Sequence, residues 1–325
     1  MLGGLARRVT FVDQLKAKKN PLIIVDSGRM FQDPRVDDDA EQVRMNSRLM
    51  ARTYRRMGVQ AVNVGDLELL QGIPFLKDQA SQGLNLISAN LVDPSTKNRI
   101  FPPYFIFTIE NRRIAFLGLI TSDLTSEIRR AMGDDAAVID PIDTAQEMVA
   151  QLREKADVIV LLSCLGLDKE RELIRKVPGI HFVMGGQEGR FLRTMLKEEE
   201  TFIAQSYWAG MYTGRLDLTL KDNTAPFHDA GEKFRIKTEI TDLDHRLDRI
   251  KNVLEEGENS VLEFTLQKIT RKRAKLQETL DGLKKFPYTG NLFQWQVVPL
   301  NNTIKEDREV ADWIGKAGFT ESPQK

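Results

Sequence analysis

Val158-Ile159-Val160-Leu161-Leu162-Ser163-Cys164-Leu165-Gly166 is an apolar run of strand length that breaks into a small, polar, glycine-ended segment. Outward from it the pattern repeats. Short apolar runs stand at Leu22 to Val25, Ala61 to Val64, Leu86 to Ala89, Phe105 to Glu110, Arg113 to Leu119, Phe182 to Met184, Phe202 to Gln205 and Gly214 to Leu220. Helix-like stretches lie between them, clearest at Asp38 to Met57 and Asp143 to Lys155. Strands alternating with helices predict a layered α/β domain, whose ligands bind in the loops at the carboxyl ends of the strands. In the second helix Ala145, Met148, Val149 and Leu152 share a face, and Asp143-Thr144 supplies an N-cap. Asn111-Arg112 separates two strand-like runs by two residues, so a tight hairpin is expected and the sheet is not purely parallel.

From residue 240 the texture changes. Ile240, Leu243, Leu247, Ile250 and Leu254 repeat at spacings of three and four, as do Leu262, Leu266, Ile269, Arg273, Leu276, Leu280 and Leu283. With Gly257-Glu258-Asn259 between them, these read as two amphipathic helices folded back on each other. Phe286-Pro287 ends the second; a strand over Phe293 to Leu300 and a helix over Asp307 to Lys316 follow, then a polar tail. The expected organisation is residues 1–239 as the main domain, 240–286 as an inserted helical arm, and 287–325 as a final strand and helix returning to the main domain.

Composition narrows the function. Of 325 residues 41% are hydrophobic, and 47 Lys+Arg balance 47 Asp+Glu, which argues for a globular chain without a basic face for nucleic acid. No apolar run reaches the 18 or so residues of a membrane span. The single cysteine, Cys164, excludes an intrachain disulfide and a cysteine-based zinc cluster. Residues 1–20 carry no segment of signal-peptide type, so the compartment is unknown from the residues.

The loop segments fall in a telling order: Gly3-Gly4-Leu5-Ala6-Arg7-Arg8, Val25-Asp26-Ser27-Gly28-Arg29-Met30-Phe31-Gln32, Gly65-Asp66-Leu67-Glu68-Leu69, Ser88-Ala89-Asn90, Leu162-Ser163-Cys164-Leu165-Gly166 and Gly185-Gly186-Gln187-Glu188-Gly189. Together they resemble the N-terminal calcineurin-like metallophosphatase domain of the 5′-nucleotidase and UDP-sugar hydrolase family. The likeness runs from residue 3 to about 220, resumes near Val298-Pro299-Leu300, and leaves the arm outside it. It implies a four-layer α/β sandwich with mixed sheets, here with an inserted helical hairpin. It also implies two divalent metals held by Asp, Asn and His, which clamp a phosphoryl oxygen and activate water, and, by family habit alone, an extracytoplasmic (periplasmic) location.

Carried over position by position, the likeness implies that most of those ligands are replaced. The family's opening Asp-x-His strand has no counterpart from Met1 onward, an absence that a truncated start would explain. Its metal-bridging Asp corresponds to Arg29, whose guanidinium repels cations. Its Asn ligand corresponds to Asp66, and its His-Asp dyad to Leu67 and Leu70, which transfer no proton. Its next three imidazoles correspond to Cys164, Gln187 and Gly189. The three histidines present, His181, His228 and His245, match no ligand position.

The expectation is therefore a catalytically degenerate protein, with no cofactor, acting as a binding or assembly module. The alternative is an active metal-dependent phosphoesterase, its site rebuilt from Asp66, Glu68, Glu188 and upstream residues. Arg29 is expected to pair with Asp66 and Glu188 in a salt-bridge cluster. The rival reading has Arg29 and Arg190 holding a phosphate or nucleotide without turnover. Cys164 reads as a small buried hydrophobe, His181 as a packed or edge residue, Gly185-Gly186 as turn geometry, and the basic run Lys268 to Lys275 as a solvated helix face. Residues 240–286 close on themselves or meet a protein partner or a second copy; in the seam, Arg273 must reach solvent or a carboxylate.

Overall fold

The computed structural model describes residues 2–33, 39–207, 210–222, 225–255, 257, 259–285 and 290–318. The chain divides into two compact units, Met1–Arg215 with Gln296–Lys325, and Leu216–Trp295. These divisions lie at other residues than the expected 239/240 and 286/287, because strands flanking the helical arm go with it. The expected start of the helix at Asp38 lies outside the described residues.

The first unit begins with α1 (Leu5–Ala17), β1 (Val25–Asp26), α2 (Ala40–Met57), β2 (Ala61–Asn63), α3 (Asp66–Leu69), α4 (Ile73–Ser81) and β3 (Leu86–Ile87). It continues through β4 (Leu91–Val92), β5 (Tyr104–Ile109), β6 (Arg112–Ile120), α5 (Ser126–Met132), β7 (Ala137–Val138), α6 (Pro141–Leu152) and β8 (Val158–Cys164). Then come α7 (Leu167–Lys176), β9 (Phe182–Gly185), β10 (Leu196–Glu198) and β11 (Thr201–Ala204), and near the end of the chain α10 (Arg308–Lys316).

One sheet is parallel, in the order β1-β2-β3, and a second is mixed, in the order β10-β11-β9-β8-β6-β5. The run at 158–164 is buried along its whole length because both faces of the second sheet are covered. Ala115, Leu117, Leu119, Ile159 and Leu161 face the apolar stripe of α6 and α7. The opposite face meets the first sheet so closely that a Cβ on Gly118 would lie 2.6 Å from Asn63 Oδ1 and 2.9 Å from Ile87. The far side of the first sheet packs on Val9 of α1, Ala51, Tyr54 and Met57 of α2 and Val310 of α10. Helices, sheet, sheet, helices: these are the four layers of the expected α/β sandwich. Each large aliphatic side chain buried in them contributes roughly 1.5–3 kcal/mol.

Two local expectations are corrected. The hairpin turn is Glu110-Asn111, with φ of 48° and 62°, because Ile109 pairs with Arg112; both turn residues take the left-handed backbone that a two-residue β-turn needs. The α6 cap is Asp140, which accepts from the N–H groups of Ile142 and Asp143, and Pro141 fills the first helical position.

The second unit is built on β12 (Tyr212–Thr219), β13 (Phe227–Asp229) and β14 (Asn291–Pro299), in the order β12-β14-β13, with β12 and β14 running across the division. Asn291 is buried and ties the preceding loop by donating to Asp222 O at 2.6 Å and Ala225 O at 3.0 Å. Between β13 and β14 stand α8 (Glu232–Glu255) and α9 (Ser260–Lys285), the latter about 39 Å long at 1.5 Å per residue. They run antiparallel, with Ile236 and Ile240 against Leu280, and Leu243 and Leu247 against Ile269. Arg273 meets Asp244 at 2.6 Å across the seam. No helix among the described residues is long and apolar enough to cross a membrane.

Candidate functional site

The site is built where β1, β2, β8 and β9 end. After Asp26 the backbone turns sharply, with φ of 102° at Gly28 and 63° at Arg29, and Gly28 N–H donates to Asp26 Oδ1 at 2.8 Å. A Cβ at Gly28 would sit 2.7 Å from Cys164 Sγ and 2.9 Å from Asn63 O, so only glycine allows three strand ends to converge here. Gly28→Ala is expected to destabilise the chain by about 2 kcal/mol through backbone strain and this clash. An unchanged urea midpoint would show that the loop does not need the turn.

Glu68 holds this turn from the other side. Its carboxylate is fully buried and accepts four backbone N–H bonds: from Arg29 and Gly65 at 2.8 Å on one oxygen, and from Met30 at 2.8 Å and Phe31 at 3.3 Å on the other. Burial pushes its carboxyl up to about 7, while the hydrogen bonds from Arg29, Gly65 and Phe31 pull it down. A glutamate three residues after a helix-starting glycine, bonded back to that glycine's N–H, is half of a capping box. That sequence signal was available, although its reach to residues 29–31 was not.

The Arg29 guanidinium pairs with Asp66, and Gln187 Nε2 donates to the same Asp66 oxygen at 3.4 Å. Glu188, expected beside Arg29, takes other partners. One of its oxygens accepts from Leu167 N at 3.0 Å at the start of α7, and the other pairs with Arg190. The four charges thus form two pairs, with Gln187 tying the 187–190 loop to the first. Leu67 is buried and Leu70 lies at the margin of the core, while Gly189 turns with φ of 60°. Cys164 is buried and donates through Sγ to Ser27 O at 3.0 Å; burial first, then the nearby Glu68 and Asp66 charges, pushes its thiol up. His181 lies away at the start of β9, its Nδ1 accepting from Ile159 N at 3.0 Å, and burial lowers its pKa.

Sequence reasoning also missed a relay behind Asp26. Arg8 donates to the Tyr54 hydroxyl at 2.9 Å, which donates to Asp26 Oδ2 at 2.8 Å. Burial, and next the Asp26 charge, raises the Tyr54 pKa and keeps the hydroxyl a donor. A second buried carboxyl, Glu170 of α7, has neither oxygen in a well-formed hydrogen bond. Burial raises it to about 7 despite Ser163 and Gln205 alongside. Gly185 makes room for it, since a Cβ there would lie 2.8 Å from Glu170 Oε1.

The carboxylates at the strand ends are largely engaged by the protein's own donors. Both Asp26 oxygens accept, from Gly28 N–H and Tyr54, and both Glu68 oxygens accept from backbone N–H groups, whereas Arg29 engages Asp66 Oδ2 alone and leaves the buried Asp66 Oδ1, like Asn63 Oδ1 and Gln187 Oε1, without a hydrogen-bond partner. Cations of this class need several converging carboxylates or imidazoles. No group of three or more His, Cys, Asp or Glu among the described residues is placed to hold a metal.

No family model matches the chain. Among curated proteins, the trifunctional nucleotide phosphoesterase YfkN of Bacillus subtilis is 24% identical over 309 residues, covering 81% of this chain and 21% of that protein. A 5′-nucleotidase of Vibrio cholerae is 24% identical over 299 residues, covering 80% and 53%. The chain thus spans between a fifth and about half of the length of these relatives. Among solved structures, the calcineurin-like phosphoesterase YfkN of Bacillus subtilis superposes with a TM-score of 0.61 at 15% identity, covering 97% of this chain and 88% of that one. The 5′-nucleotidase precursor of Thermus thermophilus gives 0.58 at 24% identity, covering 68% and 46%. In sequence the chain is similar to 5′-nucleotidases and nucleotide phosphoesterases, and its fold is that of the calcineurin-like phosphoesterases and 5′-nucleotidases.

Proposed function

We propose that the chain is a catalytically degenerate relative of the 5′-nucleotidases that serves as a binding or assembly module. The observation that carries this reading is the Arg29–Asp66 pair at the meeting point of the strand ends. A fixed guanidinium there supplies the positive potential that cations would otherwise bring, yet it cannot lower the pKa of a bound water as a metal does. Buried Leu67 and half-buried Leu70, at the positions the resemblance matches to a proton-transferring dyad, support the same reading. The anion-binding version is disfavoured, because Arg29 and Arg190 each already face a carboxylate.

The alternative, a phosphoesterase rebuilt from Asp66, Glu68 and Glu188, meets the difficulty that Glu68 and Glu188 are engaged by backbone N–H groups and Arg190. Elemental analysis of the purified chain, with a chromogenic phosphate ester assayed in added zinc or manganese, separates the two. The expected result is less than stoichiometric metal and no turnover above buffer. Stoichiometric metal with turnover abolished by Asp66→Ala would establish the alternative.

A further inference from the structure

At the turn end of the helical hairpin, Ile250, Val253 and Leu262 floor an open groove of about 340 Å³ rimmed by Arg246 and Arg249. On the first turn of α9, Val261 and Phe264 stand 71% and 70% exposed, and Val253 on the last turn of α8 is 51% exposed. A single exposed apolar side chain needs no explanation, but several gathered at one end of an arm whose own seam is already filled do. The charges around them are also uncommitted: neither Arg246 nor Glu263 makes an ion pair among the described residues, and Arg249 reaches only the His245 carbonyl, at 3.3 Å.

We propose that this end of the hairpin pairs with the same end of a second copy about a two-fold axis, Val261 and Phe264 of each entering the groove of the other, with Glu263 against Arg249. The partner follows from the patch's composition. It carries a protruding apolar pair, an open groove in which three apolar side chains lie beside two arginines, and both signs of charge, a mixture that an isologous contact matches to itself and that a single-sign or purely apolar partner would leave half unmatched. The chain as a whole offers no charge excess to recruit a strongly acidic or basic macromolecule. Two hairpin ends make a contact at the small end of the range for specific interfaces, so micromolar affinity is expected. This deepens the assembly half of the proposed function and is independent of turnover, so metal and ester assays on one side and mass on the other fail separately.

Sedimentation velocity of the full chain from about 5 to 200 μM brackets such an affinity. Dimer mass is expected to grow with concentration. Phe264→Asp should raise the dimer Kd at least about tenfold, because it removes one buried aromatic anchor from each copy. Arg249→Glu and Glu263→Arg should each be monomeric alone, through like charges at both contacts. Mixed one to one, they should regain dimer mass, because each heteropair restores two opposite-sign contacts. All three sites are exposed, and circular dichroism checks that helix content is kept. A wild-type monomer throughout, a dimer that survives Phe264→Asp, or a mixture that stays monomeric would overturn the proposal and leave this surface to a different protein or a membrane.

Discussion

Glu68→Ala is expected to destabilise the first unit by about 4 kcal/mol, a large share of the 5–15 kcal/mol that holds most domains together. The substitution removes the common acceptor of four backbone N–H groups, from Arg29, Met30, Phe31 and Gly65. Each donor left unmatched in a dry interior costs about 1–3 kcal/mol, and partial opening of the 29–31 loop to water recovers some of it. The same opening would free Arg29 from its left-handed backbone and from Asp66, so the site should be disordered along with the fold. Glu68→Gln is the useful companion. It keeps one acceptor oxygen but turns an NH₂ toward two of the donors, and should lie between wild type and alanine. Urea unfolding followed by tryptophan fluorescence gives the midpoint. A shift worth less than about 1 kcal/mol for the alanine variant would mean that the loop is held by the Arg29–Asp66 pair and its glycines rather than by this carboxylate.

Glu170→Gln should flatten the pH dependence of stability. The Glu170 carboxyl titrates at about 7 in the folded chain against an ordinary 4.5, raised chiefly by burial. Between those values the folded chain holds a proton that the unfolded chain has lost, so stability falls as pH rises. The contribution is fully present below about 4.5 and disappears as pH passes through about 7, with a total on the order of 3 kcal/mol. Glutamine keeps the shape and carries no charge to bury. Glu68 titrates in the same direction and window, so the informative quantity is the difference between wild type and Glu170→Gln, measured by urea midpoints from pH 5 to 8.5. The variant should gain on wild type from pH 5 to a little above 7 and keep a constant lead from there to 8.5; parallel curves throughout would show that Glu170 finds a partner when it ionises.

How the charges are shared illustrates what was legible. That Arg29 and Asp66 would meet was readable because each follows a strand end in neighbouring positions of one sheet, and such loops converge whatever their side chains. That Glu188 would turn to Arg190 and the start of α7 was not. Arg29 and Arg190 both lie in loops after strand ends, and which of them Glu188 meets depends on the path of a loop whose φ values no residue pattern specifies. The sequence offers Glu68 as one carboxylate of a rebuilt catalytic site. Its actual work is to anchor a turn 37 to 39 residues earlier in the chain, a role that exists only once β1 and β2 lie side by side.

By itself, the amino-acid order determined the main strands, the helices at α2 and α6 and the antiparallel arm, which follow from apolar periodicity or from the residue types at turns, while the four-layer arrangement was implied by the resemblance of the loop segments to a known family. These are properties of a segment and its immediate neighbours. Tertiary structure alone decided which donor faces which acceptor: the four N–H groups on Glu68, the Arg8–Tyr54–Asp26 relay, and the Glu170 carboxyl buried beside Ser163 and Gln205 with no well-formed hydrogen bond. The physical reason is range. Hydrogen bonds and burial of charge are settled within about 3 Å, and shifts of that size come from how layers pack, not from what any one segment spells.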